Sequence, residues 1–230
     1  MSHYEERLER DLTAVRKQVA DMAILVETAT RNAMHALQTG NNKLASATII
    51  ADHEINRSMR HIDDLCHKFI ALHLPTAGHL RMLSSIIRAN IELERIGDYA
   101  ADSAAIVMQM EGRDLSRVGV ADVLKLSYMC IRMLDEVLTA YLQKDAENAK
   151  KAARMDDEID AWHAKLVDSL FSTMQENPGL VPDASRMLWI SHNLERCADR
   201  GTNIAEQIAK GIYHIDSVAE FGEVDRKSVV

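Results

Sequence analysis

The chain has 230 residues, of which 47% are hydrophobic, 27% charged and 4% aromatic, and its formal net charge is −8. The length suffices for one large domain or two modest ones, and the few aromatics, nine glycines and three prolines favour helices over strands. The acidic excess excludes a nucleic-acid binder, and Cys66, Cys130 and Cys197, far apart and without a C-x-x-C, exclude a thiolate zinc site or a disulfide framework.

The amino terminus is too charged for a signal peptide, and no apolar run approaches the ~20 residues that span a bilayer, so a cytoplasmic protein is expected. Its first predicted helix carries a heptad seam, Leu8, Leu12, Val15, Val19, Met22, Val26, Ala29, Ala33 and Ala36, which ends at Gly40-Asn41-Asn42. A second follows with Thr48, Asp52, Ile55, Met59, Ile62, Cys66 and Phe69, stopping near Leu74-Pro75. The third is expected from about His79 to about Gly112.

The plan then recurs. Val120, Leu124, Ser127, Ile131, Leu134, Leu138 and Tyr141 mark a fourth helix. Ala152, Asp156, Ile159, His163, Leu166 and Leu170 mark a fifth, broken by Asn177-Pro178-Gly179. A sixth begins near Asp183-Ala184-Ser185, plausible N-cap residues, and runs to about Gly211. The expected fold is all-α: two tandem three-helix bundles, residues 1–112 and 113–215, with 216–230 a tail lacking periodicity.

The third and sixth helices share a phrase. Glu94-Arg95 falls on Glu195-Arg196 and Asp98 on Asp199, a constant offset of 101, while Asp52-His53-Glu54-Ile55 matches Asp156-Asp157-Glu158-Ile159 at 104. Asn90, Glu94, Asp98 and Asp102 climb one helix face in steps of four, and Ser191, Glu195, Asp199 and Asn203 repeat that face. Like charges at i,i+4 repel by a few tenths of a kcal/mol on a bare helix, so a repeated pair calls for a counter-charge. Arg95 and Arg196 could supply it; a bound cation would supply it better. Oxygen donors favour magnesium, manganese, calcium or iron, and the metal set expected here is iron, manganese, magnesium or zinc. Asp52 and Asp156 occupy seam positions, where a buried carboxylate must find a partner, as ion pair or further metal ligand. Glu54 and Glu158 face elsewhere and are read as solvated. Among the histidines only His192 stands near a row, although its counterpart is Ile91; His53, His61, His67, His73 and His79 read mostly as surface residues.

These residues resemble the PhoU family of accessory regulators of bacterial phosphate uptake. The resemblance covers nearly the whole chain. It rests on the tandem units, Glu94-Arg95-Ile96-Gly97-Asp98 with Glu195-Arg196-Cys197-Ala198-Asp199, and the two Asp-x-Glu-Ile phrases. It implies a non-enzymatic, dimeric helical protein binding metal at the two acidic faces. It further implies a negative regulator of the phosphate-starvation response, acting between the ATPase of a phosphate ABC transporter and a sensor histidine kinase, at the membrane only through those partners. Two alternatives stay open, a metal-free helical adaptor and a di-iron carboxylate enzyme. No glutamate is followed by histidine at the third position, which disfavours the second, and no Walker loop Gly-x-x-x-x-Gly-Lys-Ser/Thr is present.

Overall fold

A computed structural model describes residues 3–143 and 145–226. Seven α-helices run in chain order: α1 His3–Thr39, α2 Asn42–His73, α3 Ala77–Met108, α4 Val120–Gln143, α5 Ala146–Ala153, α6 Asp156–Glu176 and α7 Val181–Arg226. The first repeat is α1 to α3. The second is again a three-helix bundle, but its middle helix is broken into α5 and α6. The all-α tandem architecture is therefore as expected, and the departures are local.

In α1 the heptad seam is the buried face, with every member from Leu12 to Ala36 below the surface. Gly40 turns the chain in the left-handed region (φ 64°), and the Asn41 side chain caps α2 by accepting from Leu44 N at 3.1 Å. Helix α2 ends on Leu74, itself left-handed (φ 42°) and 86% exposed. In α4 the expected seam is met in part. Ser127, Ile131 and Leu134 are buried as expected, but the deepest stripe runs through Val123, Leu126, Cys130, Met133, Val137 and Ala140, while Val120, Leu124, Leu138 and Tyr141 lie at its edge. A helix packed on several sides buries more than one stripe, so spacing alone does not select the innermost.

The fifth helix also departs from its expectation. Asp145 caps α5, accepting from Glu147 N and Asn148 N, and tight bonds from Arg154 N to Lys151 O and Met155 N to Ala152 O close it after two turns. Lys150 and Lys151 then sit in the last turn of α5, and Asp156, Asp157 and Glu158 in the first turn of α6. Both sets of charges suit the helix dipoles at those ends. Asp183 is not a cap: a 3-10 turn at Pro178–Leu180 leads straight into α7 at Val181, so Asp183 lies in the first helical turn. There it is buried and receives Arg113 Nη1 at 2.9 Å and Arg186 Nη1 at 3.1 Å. Helix α7 continues past Ile215 to Arg226, so the residues expected as an aperiodic tail are helical to that point; 227–230 lie outside the described residues.

The two repeats share their cores. One core joins Leu12, Met22, Ile55, Leu83 and Ile96 of the first repeat to Leu134, Val137, Ile204 and Ile208 of the second. The other joins Ala33, Leu37, Ala45 and Val107 to Leu126, Met133, Ile159, Leu170 and Leu194. Helices α3 and α7 run antiparallel along one another: Ser103 accepts from Asn193 Nδ2 at 3.2 Å, and Glu92 pairs with Arg200 Nη1 at 3.3 Å. The helices that carry the repeated phrase are thus the middle of the molecule.

Candidate functional site

The first acidic face is built on α2 and α3. At Gly97 the two helices approach so closely that a Cβ there would stand 2.9 Å from Ile55 Cδ1 and 3.0 Å from its Cγ2. That approach places Asp52, one turn before Ile55, against the carboxylates of α3. Asp98 is pushed up to about 6, first by loss of solvent around it and then by Glu94, Asp52 and Asp102. The four expected residues of this face, Asp52, Glu94, Asp98 and Asp102, therefore stand in one electrostatic neighbourhood. Asp98 and Asp102 keep an exposed edge, whereas Glu94 and Asp52 are half-buried. Asn56 Nδ2 donates to Asp52 Oδ2 at 2.7 Å, leaving Asp52 Oδ1 buried without a hydrogen-bond partner. Among the described residues no Lys, Arg or His salt-bridges any of the four; Arg95 turns to Glu92 at 3.4 Å instead.

The second face is built on α6 and α7. Burial pushes Asp156 above the usual carboxylate range, opposed by the neighbouring Thr202 hydroxyl and reinforced by Asp160, Asp199 and Asp157. Glu195 is raised by burial and by Asp199, with His192 and Arg196 opposing. Asp156 Oδ1 and Glu195 Oε2 are buried without hydrogen-bond partners. Here an arginine does intervene, because Arg196 Nη1 lies 3.1 Å from Asp199 Oδ2. Asn203 does not join this group by its amide, which points across to Glu92 Oε2 at 3.4 Å. The two faces are consequently unequal in charge compensation.

Buried carboxylate oxygens with no donor are costly unless a cation or proton reaches them. In kind, as carboxylate oxygens, these donors suit a hard metal ion. They are not already drawn together, for among the described residues no three His, Cys, Asp or Glu side chains are gathered closely enough to hold an ion. Carboxylates without a cation between them spread apart by repulsion.

Two residues beside this face were not among the expected ligands, Asp160 and His163. His163 Nε2 is buried and unpartnered, and its ring is held below the usual imidazole range by burial and by His192, against Asp160. The signal in the sequence is a carboxylate and a histidine three residues apart on one helix, Asp160-Ala161-Trp162-His163. His192 Nδ1 lies 3.6 Å from Glu195 Oε2. His73, expected at the surface, is buried instead, with Nε2 at 2.9 Å from Asp11 Oδ2. His53, His61 and His67 are exposed, as are Glu54 and Glu158.

The PhoU domain matches residues 19–107 and 123–208, one match in each repeat. A phosphate-specific transport system accessory protein PhoU homolog from Pseudomonas aeruginosa is 31% identical over 90% of this chain and 85% of its own. A homolog of the same name from Synechocystis sp. is 33% identical over 90% of each chain. The crystal structure of PhoU from Pseudomonas aeruginosa superposes with a TM-score of 0.87 at 30% identity, covering 90% of this chain and 99% of that one. The phosphate transport system regulatory protein PhoU from Streptococcus pneumoniae gives 0.81 at 27% identity, covering 87% and 94%. These relatives are named as accessory and regulatory proteins, not enzymes, which removes the di-iron enzyme from consideration. Matched in both repeats and along nine-tenths of its length, the chain belongs to the PhoU family.

Proposed function

We propose that this protein is an accessory regulator of phosphate-specific transport, acting without catalysis through two acidic faces that bind metal ions. The observation that carries the reading is the repeated carboxylate group, Asp52, Glu94, Asp98 and Asp102 in one repeat and Asp156, Glu195 and Asp199 in the other, with buried oxygens lacking a donor in each. Asn203 is a further candidate ligand through its carbonyl oxygen. When bound, the ion supplies positive charge; iron, manganese, magnesium and zinc are all compatible with such donors. The side chains on α2, α3, α6 and α7 do the rest, bringing helices of each bundle into a fixed relation. The fixed surface is then read by partners. The expected partners are the transporter's ATPase subunit and a sensor histidine kinase, with a second copy of the chain forming a homodimer. The role is negative: starvation genes stay off while phosphate is plentiful. No described helix is long and apolar enough to cross a membrane, which accords with a protein that reaches the bilayer only through partners.

The test is deletion of the gene, followed by alkaline phosphatase assay in phosphate-rich medium. Expression should rise, and fall again when the wild-type gene is restored but not when Glu94→Ala/Asp98→Ala is. Full repression in the deletion strain would overturn the regulatory role. Full rescue by the double variant would leave an adaptor that needs no metal at its first face.

A further inference from the structure

The turn between α2 and α3 makes an end of the molecule unlike the rest of its surface. From Leu65 to Ile91 the chain has no aspartate or glutamate, although these number 35 of its 230 residues, and the same stretch carries exposed Lys68, Arg81 and Arg88. At its centre Leu72, Leu74 and Leu80 are 57%, 86% and 42% exposed, and Tyr4 of α1 is exposed beside His73. Large apolar side chains grouped in this way differ from the single ones scattered over most surfaces.

Leu74 is the anomaly. Its backbone is left-handed (φ 42°, ψ 59°) at a helix end where glycine is the usual residue, and it precedes Pro75, which further disfavours a helical conformation. Leucine is strained there relative to glycine and gains nothing from burial, so neither backbone nor core accounts for it. The turn is nevertheless braced. Tyr4 Oη donates to the His73 carbonyl, the His73 and Phe69 ring centroids are 4.6 Å apart, and His73 Nε2 lies 2.9 Å from Asp11 Oδ2. The residue before Leu74 is thus held from both α1 and α2, which fixes the place of the leucine at the tip.

We propose that this tip is an anchor, which seats Leu74, flanked by Leu72 and Leu80, in an apolar pocket rimmed by carboxylates on a partner protein. The inference rests on the accessory-regulator reading above and locates on this chain the surface that the partner meets. Insertion into lipid needs no fixed geometry. A preformed pocket rewards a side chain held in place before binding, because less freedom is lost on association. The rim follows from the charge of the segment, three basic side chains and no acidic one, with Lys68 and Arg81 within about two helical turns of Leu74. Carboxylates opposite them speed association and fix orientation. The exposed Glu5, Glu6 and Glu9 of α1 border the other side, so the tip has a basic and an acidic edge and favours one way round.

The experiment measures binding of the full chain, by biolayer interferometry, to the phosphate transporter with its ATPase subunits and to the full-length sensor kinase, each in detergent. Wild type should bind at least one of them. Leu74→Gly should weaken that binding at least about tenfold, the effect of withdrawing one buried leucine side chain. Its melting temperature should equal or exceed that of wild type, so the loss cannot come from misfolding. Leu72→Ser should weaken binding in the same direction, and Lys68→Glu should slow association and flatten its salt dependence. Binding within about twofold of wild type by both leucine variants overturns the inference while leaving the regulatory reading intact. A Leu74→Gly protein that melts below wild type overturns it too, for the leucine would then serve the fold. Failure of wild type to bind either membrane protein overturns both readings. Sedimentation with phosphatidylglycerol vesicles that Leu74→Gly abolishes, while the protein complexes persist, overturns the pocket in favour of a lipid surface.

Discussion

Asp98→Asn should make the metal-free protein more stable at neutral pH while weakening the metal binding proposed for its first acidic face. The Asp98 carboxyl is pushed up to about 6 in the folded protein, against an ordinary value of 3.8. A group whose folded pKa is raised binds its proton more tightly folded than unfolded. Its contribution is therefore most favourable at low pH and is lost as pH rises from about 4 through about 6. The full shift would correspond to roughly 3 kcal/mol at 1.36 kcal/mol per unit. Asp98 is exposed along one edge, so solvent screening reduces this to about 1 kcal/mol. Urea unfolding in the presence of a chelator measures it directly. At pH 7.5 the variant's midpoint should exceed that of wild type by the equivalent of about 1 kcal/mol at unchanged slope, and at pH 4 the two should converge. High salt should shrink the gain without abolishing it, because burial precedes repulsion among the causes. A variant equally or less stable at pH 7.5 would refute the reasoning, for the carboxylates would then not be crowded in the absence of metal.

The remaining perturbations concern packing, pairing and backbone. Gly97→Ala should destabilise by about 1 kcal/mol, the overpacking against Ile55 outweighing the gain in helix propensity. Adding Ile55→Val should cost less than the sum of the single changes by at least about 0.5 kcal/mol in a double-mutant cycle. Glu92→Ala strands Arg200, whose side chain is 14% exposed, between the repeats; chemical denaturation should show a loss of about 2–3 kcal/mol. His73 holds the Asp11 carboxyl below its ordinary range, so Asp11→Asn should cost about 0.5–1 kcal/mol at pH 6 and nothing once the pH falls below the folded value. Leu74→Gly should raise the melting temperature slightly, by the equivalent of up to about 1 kcal/mol, since Leu74 holds a left-handed conformation with an exposed side chain.

The seams were legible because burial along a helix leaves a period in the sequence, and Leu12 to Ala36 obeys it without exception. What a seam meets is not written in its period. Nothing in the spacing of Ile55 or Leu134 says that both enter one core across the repeats. The break after Ala153 was hidden because alanines continue the apolar rhythm into the gap. The charges were the better guide, with Lys150-Lys151 closing one helix and Asp156-Asp157-Glu158 opening the next. His73 escaped for a related reason: its partner Asp11 lies on a different helix, and pairing across helices leaves no local mark.

The candidate ligands divide along the same line. Glu94, Asp98, Glu195 and Asp199 stood out because duplication preserved them, and preservation between repeats is visible to anyone aligning the halves. Asp160, His163 and His192 are where the halves differ, so a search for likeness passes over them. Yet difference is the more informative signal once structure shows which positions face one another. A duplicated scaffold fixes the backbone twice, so what varies between corresponding positions is side-chain chemistry on a common frame. In this chain the shared positions, Asp52 near Asp98 and Asp156 near Asp199, crowd carboxylates in both repeats, and there Asp98 and Asp156 are pushed above their ordinary range. The positions that differ, Asn56, Met59 and Ile91 against Asp160, His163 and His192, change charge and hydrogen-bonding capacity around that common group on the same helical frame.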